Sequence, residues 1–139
     1  MATETASTDS LRCVVVTPEE TVLEGEASFV ALPLFDGEVG IARDHSPMIG
    51  RLGFGEMRLR SNGDTTRYYV DGGFVQVDDN LVSVLTNRAI PIDAVDGEAA
   101  QEQLAEALGR SASGDEEIAM RDRLLLQARA QLRIARQVK

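Results

Sequence analysis

The only histidine, His45, stands in Arg43-Asp44-His45-Ser46-Pro47 beside an acid and a hydroxyl, the residue types of a hydrolytic triad. A triad needs nucleophile, base and orienting acid converging from different parts of the chain, which adjacent residues cannot do by themselves. An enzyme built on His45 would have to hold it in a concave pocket with other polar groups pointing inward. The single cysteine, Cys13, lies in the apolar run Leu11-Arg12-Cys13-Val14-Val15-Val16, so it has no internal disulfide partner and reads as a buried, inert thiol. The acidic pairs Asp78-Asp79 and Glu116-Glu117 lack the ligand spacing of a calcium loop or a zinc site. They read as a solvated turn and the negative first turn of a helix. The glycine pairs Gly37/Gly40 and Gly50/Gly53 lack the Lys and following helix of a phosphate loop, so this chain alone is not expected to hydrolyse ATP.

Charge is the remaining signal. The chain of 139 residues carries a net −9, which argues against broad nucleic-acid binding. The charge is uneven: residues 1–91 and 92–117 are each net −7, whereas 118–139 are net +5, with six cations and only Asp122 opposing them. That basic terminal segment either meets an acidic partner or forms a solvated helix face.

The elements that must carry these residues follow from periodicity. From Leu11 to about Pro91, short β-branched and apolar runs alternate with turn residues, as in antiparallel all-β domains. Phe29-Val30-Ala31-Leu32 suits a buried strand, while Met57–Arg60 and Phe74–Val77 alternate as half-exposed strands do. Asn62-Gly63 supplies the positive φ angles of a tight hairpin, and Asp78-Asp79-Asn80 turns the next one. Gly72-Gly73 marks either a bulge or a close approach of another backbone.

After Pro91 the period becomes helical. Val95, Ala99, Ala100, Leu104, Ala107 and Leu108 predict a helix over 93–108, capped by Asp93 or Asp96 and stopped at Gly109. Ser113 and Glu116 fit a capping box opening a second helix over about 115–137. Its stripe of Ile118, Leu125, Ala128, Leu132 and Ala135 has arginines nearby or opposite. The expected fold is therefore a β-sandwich over 11–91 followed by an antiparallel two-helix hairpin over 92–139, with 1–10 as a flexible tail. No apolar run reaches the roughly 18 residues of a membrane span, and Met1–Ser10 has no secretory or transit pattern, so any membrane role is expected to go through protein partners.

Gly37-Glu38-Val39-Gly40-Ile41-Ala42-Arg43-Asp44-His45-Ser46-Pro47 resembles the epsilon family of bacterial ATP synthases, which carries G-E-hydrophobic-G-I followed by H-x-P. The likeness runs from Val15-Val16-Thr17-Pro18-Glu19 through Tyr69–Val77 and Val82–Thr86 to Ala89-Ile90. It implies a flattened, ten-stranded sandwich and a helical hairpin, with no catalytic residue, metal or cofactor. It also implies a regulatory and structural subunit in the central stalk of an F-type, proton-translocating rotor, peripheral on the cytoplasmic face of a bacterial inner membrane. The sandwich of that family binds the gamma subunit and the polar loops of the membrane c-ring, which makes Glu38 and His45 candidates for the ring-facing end. The hairpin in relatives extends into the catalytic head and suppresses ATP hydrolysis; Arg121, Arg123, Arg129, Arg133 and Arg136 are then the candidates for meeting the alpha and beta subunits. Some relatives bind ATP through [IL]-D-x-x-R-A. Here that stretch keeps Asp96 but has Ala99 where the arginine stands and adds Glu98, so weak or absent ATP binding is expected.

Overall fold

The computed structural model describes residues 10–138, and side chains through residue 136. Of the flexible tail expected over 1–10, residues 1–9 lie outside the described residues, and the carbonyl of Ser10 accepts from Arg43 Nη1 at 3.2 Å. The chain divides into two compact units, one reaching to Ala89 and one starting at Ile90.

The first unit holds strands β1 Leu11–Val16, β2 Thr21–Ala27, β3 Phe29–Leu34, β4 Gly37–Ala42, β5 Met48–Ser61, β6 Asp64–Asp78 and β7 Leu81–Leu85. They are ordered β2-β1-β7-β6-β5-β3-β4, and the short β8 Ala89–Pro91 pairs with β6 off this path. Ala27 of β2 and Ile41 of β4 belong to opposite edges of this sheet yet share one buried core. The sheet is therefore folded over on itself as a sandwich.

Tight turns set the registers. Asn62 (φ 54°) and Gly63 (φ 82°) join β5 to β6, and Asp79 (φ 50°) and Asn80 (φ 62°) join β6 to β7. Two successive left-handed residues match the twist of a two-residue hairpin, and Asn and Asp tolerate that conformation better than other side chains.

Eight strands stand where about ten are expected because β5 and β6 run uninterrupted for 14 and 15 residues and serve both layers. On β6 the core takes odd positions Val75 and Val77 after the glycine pair but even positions Tyr68 and Val70 before it. The phase change falls at Gly72 (φ 71°) and Gly73 (φ 107°), conformations open to glycine and strained for other residues. A Cβ on Gly73 would lie 1.9 Å from the carbonyl oxygen of Leu85, so the site is a close backbone approach. One pair corrects the antiparallel expectation: β1 runs parallel to β7, with Cys13 opposite Val82. These strands are joined through most of the sandwich and not by a hairpin, so no tight turn forces them antiparallel. Cys13 is fully buried there, and desolvation pushes its thiol up to about 12, which keeps it protonated and inert.

The second unit holds a 3-10 turn at Ile92–Ala94, helix α1 Gly97–Gly109 and helix α2 Asp115–Val138. Helix α1 starts later than periodicity predicts. Val95 is extended (ψ 124°), so Asp93 belongs to the preceding turn, and Asp96 caps α1 by accepting from the N–H groups of Glu98 and Ala99 at 3.0 and 3.1 Å. At α2 the capping carboxylate is Glu117 and not Glu116. Its Oε1 accepts from the Ser113 N–H at 2.9 Å, because Gly114 at φ 87° moves the helix start one residue on.

Small side chains let the two helices approach. Ala100, Ala107 and Ala128 are buried, and a Cβ on Gly97 would sit 3.2 Å from Ala135. Gln103 Nε2 ties the helices by donating to the Leu124 carbonyl at 2.9 Å and to Gln127 Oε1 at 3.3 Å. Burial on α2 is wider than the expected stripe. Ala128 and Leu132 are buried, Leu125 and Ala135 half-buried and Ile118 exposed, while Ala130, Gln131 and Ile134 are buried beyond it.

Candidate interaction surfaces

One end of the sandwich is built by the loop after β4. Asp44 takes φ 65°, its N–H donates to Asn80 Oδ1 at 2.6 Å, and its Oδ1 accepts from Asn80 Nδ2 at 3.3 Å. Asn80 also receives the Arg12 N–H on its carbonyl at 2.9 Å. His45 is half-buried in this locked turn, and its Nδ1–H donates to the neighbouring Ser46 carbonyl at 2.7 Å. The imidazole thus stabilises its own turn through Nδ1, and Nε2 is not used in that bond.

Glu38 lies near the other end of β4, so the two ring-facing candidates are not one cluster. Four residues of strand from Glu38 to Ala42 put roughly 13 Å between Glu38 and the start of the His45 loop. Glu38 is exposed and faces Arg58 Nη2 at 3.6 Å. Arg58 Nη1 in turn donates to Glu56 Oε1 at 3.2 Å, and Arg67 lies 3.8 Å from Glu56 Oε2. Glu38 lies on β4, the edge strand of the sheet, and His45 lies in the loop that follows it.

Sequence reading missed the outer face of β5, β6 and β7. In register, Phe74 lies between Arg51 of β5 and Leu85 of β7, and Gln76 lies between Ile49 and Ser83. Ile49 is 76% exposed, Phe74 58% and Leu85 55%, although each sits in a strand. The Arg51 guanidinium lies 4.8 Å over the ring of Phe35, which is itself exposed. Apolar side chains on the solvent side of three adjacent strands form a patch that favours a partner over water. The signal was present in Leu81-Val82-Ser83-Val84-Leu85, apolar on both phases of the alternation except at Ser83.

A buried polar knot beside this face was also missed. Asp71, its side chain 5% exposed, accepts from Tyr69 Oη at 3.1 Å and from Arg88 Nε at 3.4 Å. Its N–H donates to Thr86 Oγ1 at 3.0 Å, and its carbonyl accepts from Asn87 Nδ2 at 3.1 Å. Tyr69 and Arg88 stabilise a carboxylate that would be costly to bury alone, and the backbone bonds to Thr86 and Asn87 pin the segment after β7 against β6 next to the glycine pair.

The helical unit presents the remaining candidates. Arg129, Arg133 and Arg136 are exposed, and spacings of four and three place them on one face of α2. Arg123 is exposed on a different face, and Arg121 is half-buried and pairs with Asp122 at 3.5 Å. A cavity of about 480 Å³ opens between the start of α1 and the end of α2, its polar lining made by Asp93, Asp96, Glu98, Gln101 and Arg136. The Asp96 carboxylate there is engaged in capping, and Ala99 is exposed without a charged group to offer. Among the described residues no cluster of three or more His, Cys, Asp or Glu side chains could hold a metal ion, and no helix is long and apolar enough to cross a membrane.

Residues 10–92 match the family described as ATP synthase, Delta/Epsilon chain, beta-sandwich domain. The ATP synthase epsilon chain of Rhodopirellula baltica is 54% identical over 127 residues, covering 91% of this chain and 99% of that protein. The epsilon chain of Rubrobacter xylanophilus is 33% identical over 125 residues, covering 88% and 86% of the two chains. In fold, a chain of the Euglena gracilis mitochondrial ATP synthase (OSCP/F1/c-ring) aligns with a TM-score of 0.77 at 21% identity, covering 99% of this chain and 88% of its own. A family match across the whole sandwich and relatives aligned through both units place this chain in the ATP synthase epsilon-chain family, as a non-catalytic epsilon subunit.

Proposed function

We propose that this chain couples the catalytic head to the membrane ring as a central-stalk subunit and restrains ATP hydrolysis through its helices. The observation that carries the docking half of this reading is the exposed apolar patch of Ile49, Phe74 and Leu85 on three adjacent strands. A sheet face with aromatic and aliphatic anchors suits a permanent partner, and the gamma subunit is that partner. The edge strand β4 and the loop after it then meet the polar loops of the c-ring, with Glu38 offering a carboxylate to a cationic group and His45 its second ring nitrogen, Nε2. Contact through Glu38 exchanges its pairing with Arg58 for one across the interface. The complex sits on the cytoplasmic face of a bacterial inner membrane, and this subunit is peripheral to it.

The regulatory half rests on charge. The three-arginine face of α2 meets acidic surfaces of the alpha and beta subunits, with Arg121 and Arg123 contributing from its first half. Domain roles follow: residues 11–91 dock and residues 92–139 regulate. ATP hydrolysis by a matched gamma-containing head, with either the full chain or a truncation ending at Ile92, tests this division. The full chain is expected to inhibit several-fold and the truncation to bind without inhibiting; equal rates with both would remove the regulatory role.

The cavity of the helical unit does not favour nucleotide. Asp93 and Glu98 on its walls repel phosphates, one arginine opposes them, and Ala99 supplies no planar cation. Calorimetric titration of the full chain with MgATP is expected to show no binding below about 1 mM, a level that corresponds to about −4 kcal/mol. Ala99→Arg is the variant expected to gain affinity. Micromolar binding by the unaltered chain would contradict this assignment.

A further inference from the structure

The buried half of α2 contains one polar side chain among apolar ones. Gln131 is only 8% exposed, between Ala128, Ala130, Leu132 and Ile134, all buried. Its Nε2 is enclosed and has no hydrogen-bond partner among the described residues. One turn earlier Gln127 is bonded, accepting from Gln103 of α1. Two glutamines four apart on one helix thus have opposite situations, one tying the unit together and the other costing it a desolvated donor.

We propose that Gln131 is a built-in release element that holds the compact packing of α2 below its attainable stability. Its amide recovers hydrogen bonds whenever α2 leaves this packed setting, either in water or against a polar partner surface. An unsatisfied buried donor is a differential interaction between the packed and released states, and only such a difference shifts an equilibrium between them. A leucine of similar volume at this position removes the unpaired donor and keeps the packing. The proposal rests on the reading of α2 as a movable arm, but its first test does not.

Hydrogen exchange on the isolated full-length chain reads the packed state directly. In Gln131→Leu, amides over residues 125–136 are expected to exchange about tenfold more slowly than in the unaltered chain, and Gln131→Met to show the same direction. In Gln127→Leu, which removes the bonded glutamine, they are expected to exchange faster. Unchanged protection in β6 controls for the integrity of the sandwich. Exchange in 125–136 that is unchanged or faster in both Gln131 variants overturns the proposal. Hydrolysis by the assembled head then addresses the regulatory reading separately. Slower exchange with weakened inhibition supports both, whereas slower exchange with unaltered inhibition keeps the release element and removes the arm.

Discussion

Gly73→Ala is expected to abolish the folded sandwich or to destabilise it by roughly 3 kcal/mol or more. Two costs add at this position. Its φ of 107° lies in a region where an L side chain is strained, and the new Cβ would lie 1.9 Å from the Leu85 carbonyl oxygen and 2.9 Å from Thr86 Cα. Those contacts are backbone, so no rotamer change relieves them. The only escape is to separate β6 from β7, which would break the Phe74–Leu85 pairing and disturb the knot around Asp71. Chemical denaturation followed by far-ultraviolet circular dichroism checks this. Gly63→Ala is the comparison, since it also has positive φ (82°) but nothing within 4 Å of its Cβ, and it should cost only about 1 kcal/mol. Equal effects of the two substitutions would mean that strain, and not the close approach, sets the cost.

The second large effect is on docking. Phe74→Asp and Leu85→Asp place a carboxylate in the apolar patch without touching the core, because both side chains point to solvent in the isolated chain. Folding should be nearly unaffected. Affinity for gamma should fall by at least ~2 kcal/mol, roughly thirtyfold, because a central aromatic or aliphatic anchor is replaced by a charge that must be desolvated. Glu38→Gln is expected to leave gamma affinity unchanged, because Glu38 lies on edge strand β4 and not in this patch. A uniform loss for all three variants would indicate a general perturbation and not a defined face.

Much of this architecture was legible from local chemistry. Asn62-Gly63 and Asp79-Asn80 specify their hairpins because the turn geometry demands residues that accept positive φ. Gly72-Gly73 signalled a special backbone site, and the structure resolves the alternative in favour of close approach to the Leu85 carbonyl. The phase change on β6 was not legible, since alternation read within a short window cannot show that one strand serves two layers. The parallel pairing of β1 with β7 was hidden for a similar reason, because strands without a shared turn leave no sequence trace of their direction.

Site residues were harder to read than the fold. The helical period of 93–108 overran its true start because Val95 fits the apolar pattern while its extended backbone stands outside the helix. The basic count of the last segment identified a charged helix but not that Arg129, Arg133 and Arg136 share a face while Arg121 and Arg123 do not. The exposed apolar patch escaped notice because an outward apolar residue looks like an inward one until the register is known, as Phe74 and Leu85 illustrate. Gln131 escaped because its polarity suggested a solvated position, whereas the fold buries it.

The most direct test of the central claim is a binding titration of this chain against a matched catalytic head containing gamma, and against the same head lacking gamma. A saturable one-to-one complex is expected only with the gamma-containing head, weakened roughly thirtyfold or more by Phe74→Asp. Binding that is absent, or that is equally strong without gamma or with the aspartate in place, would contradict it.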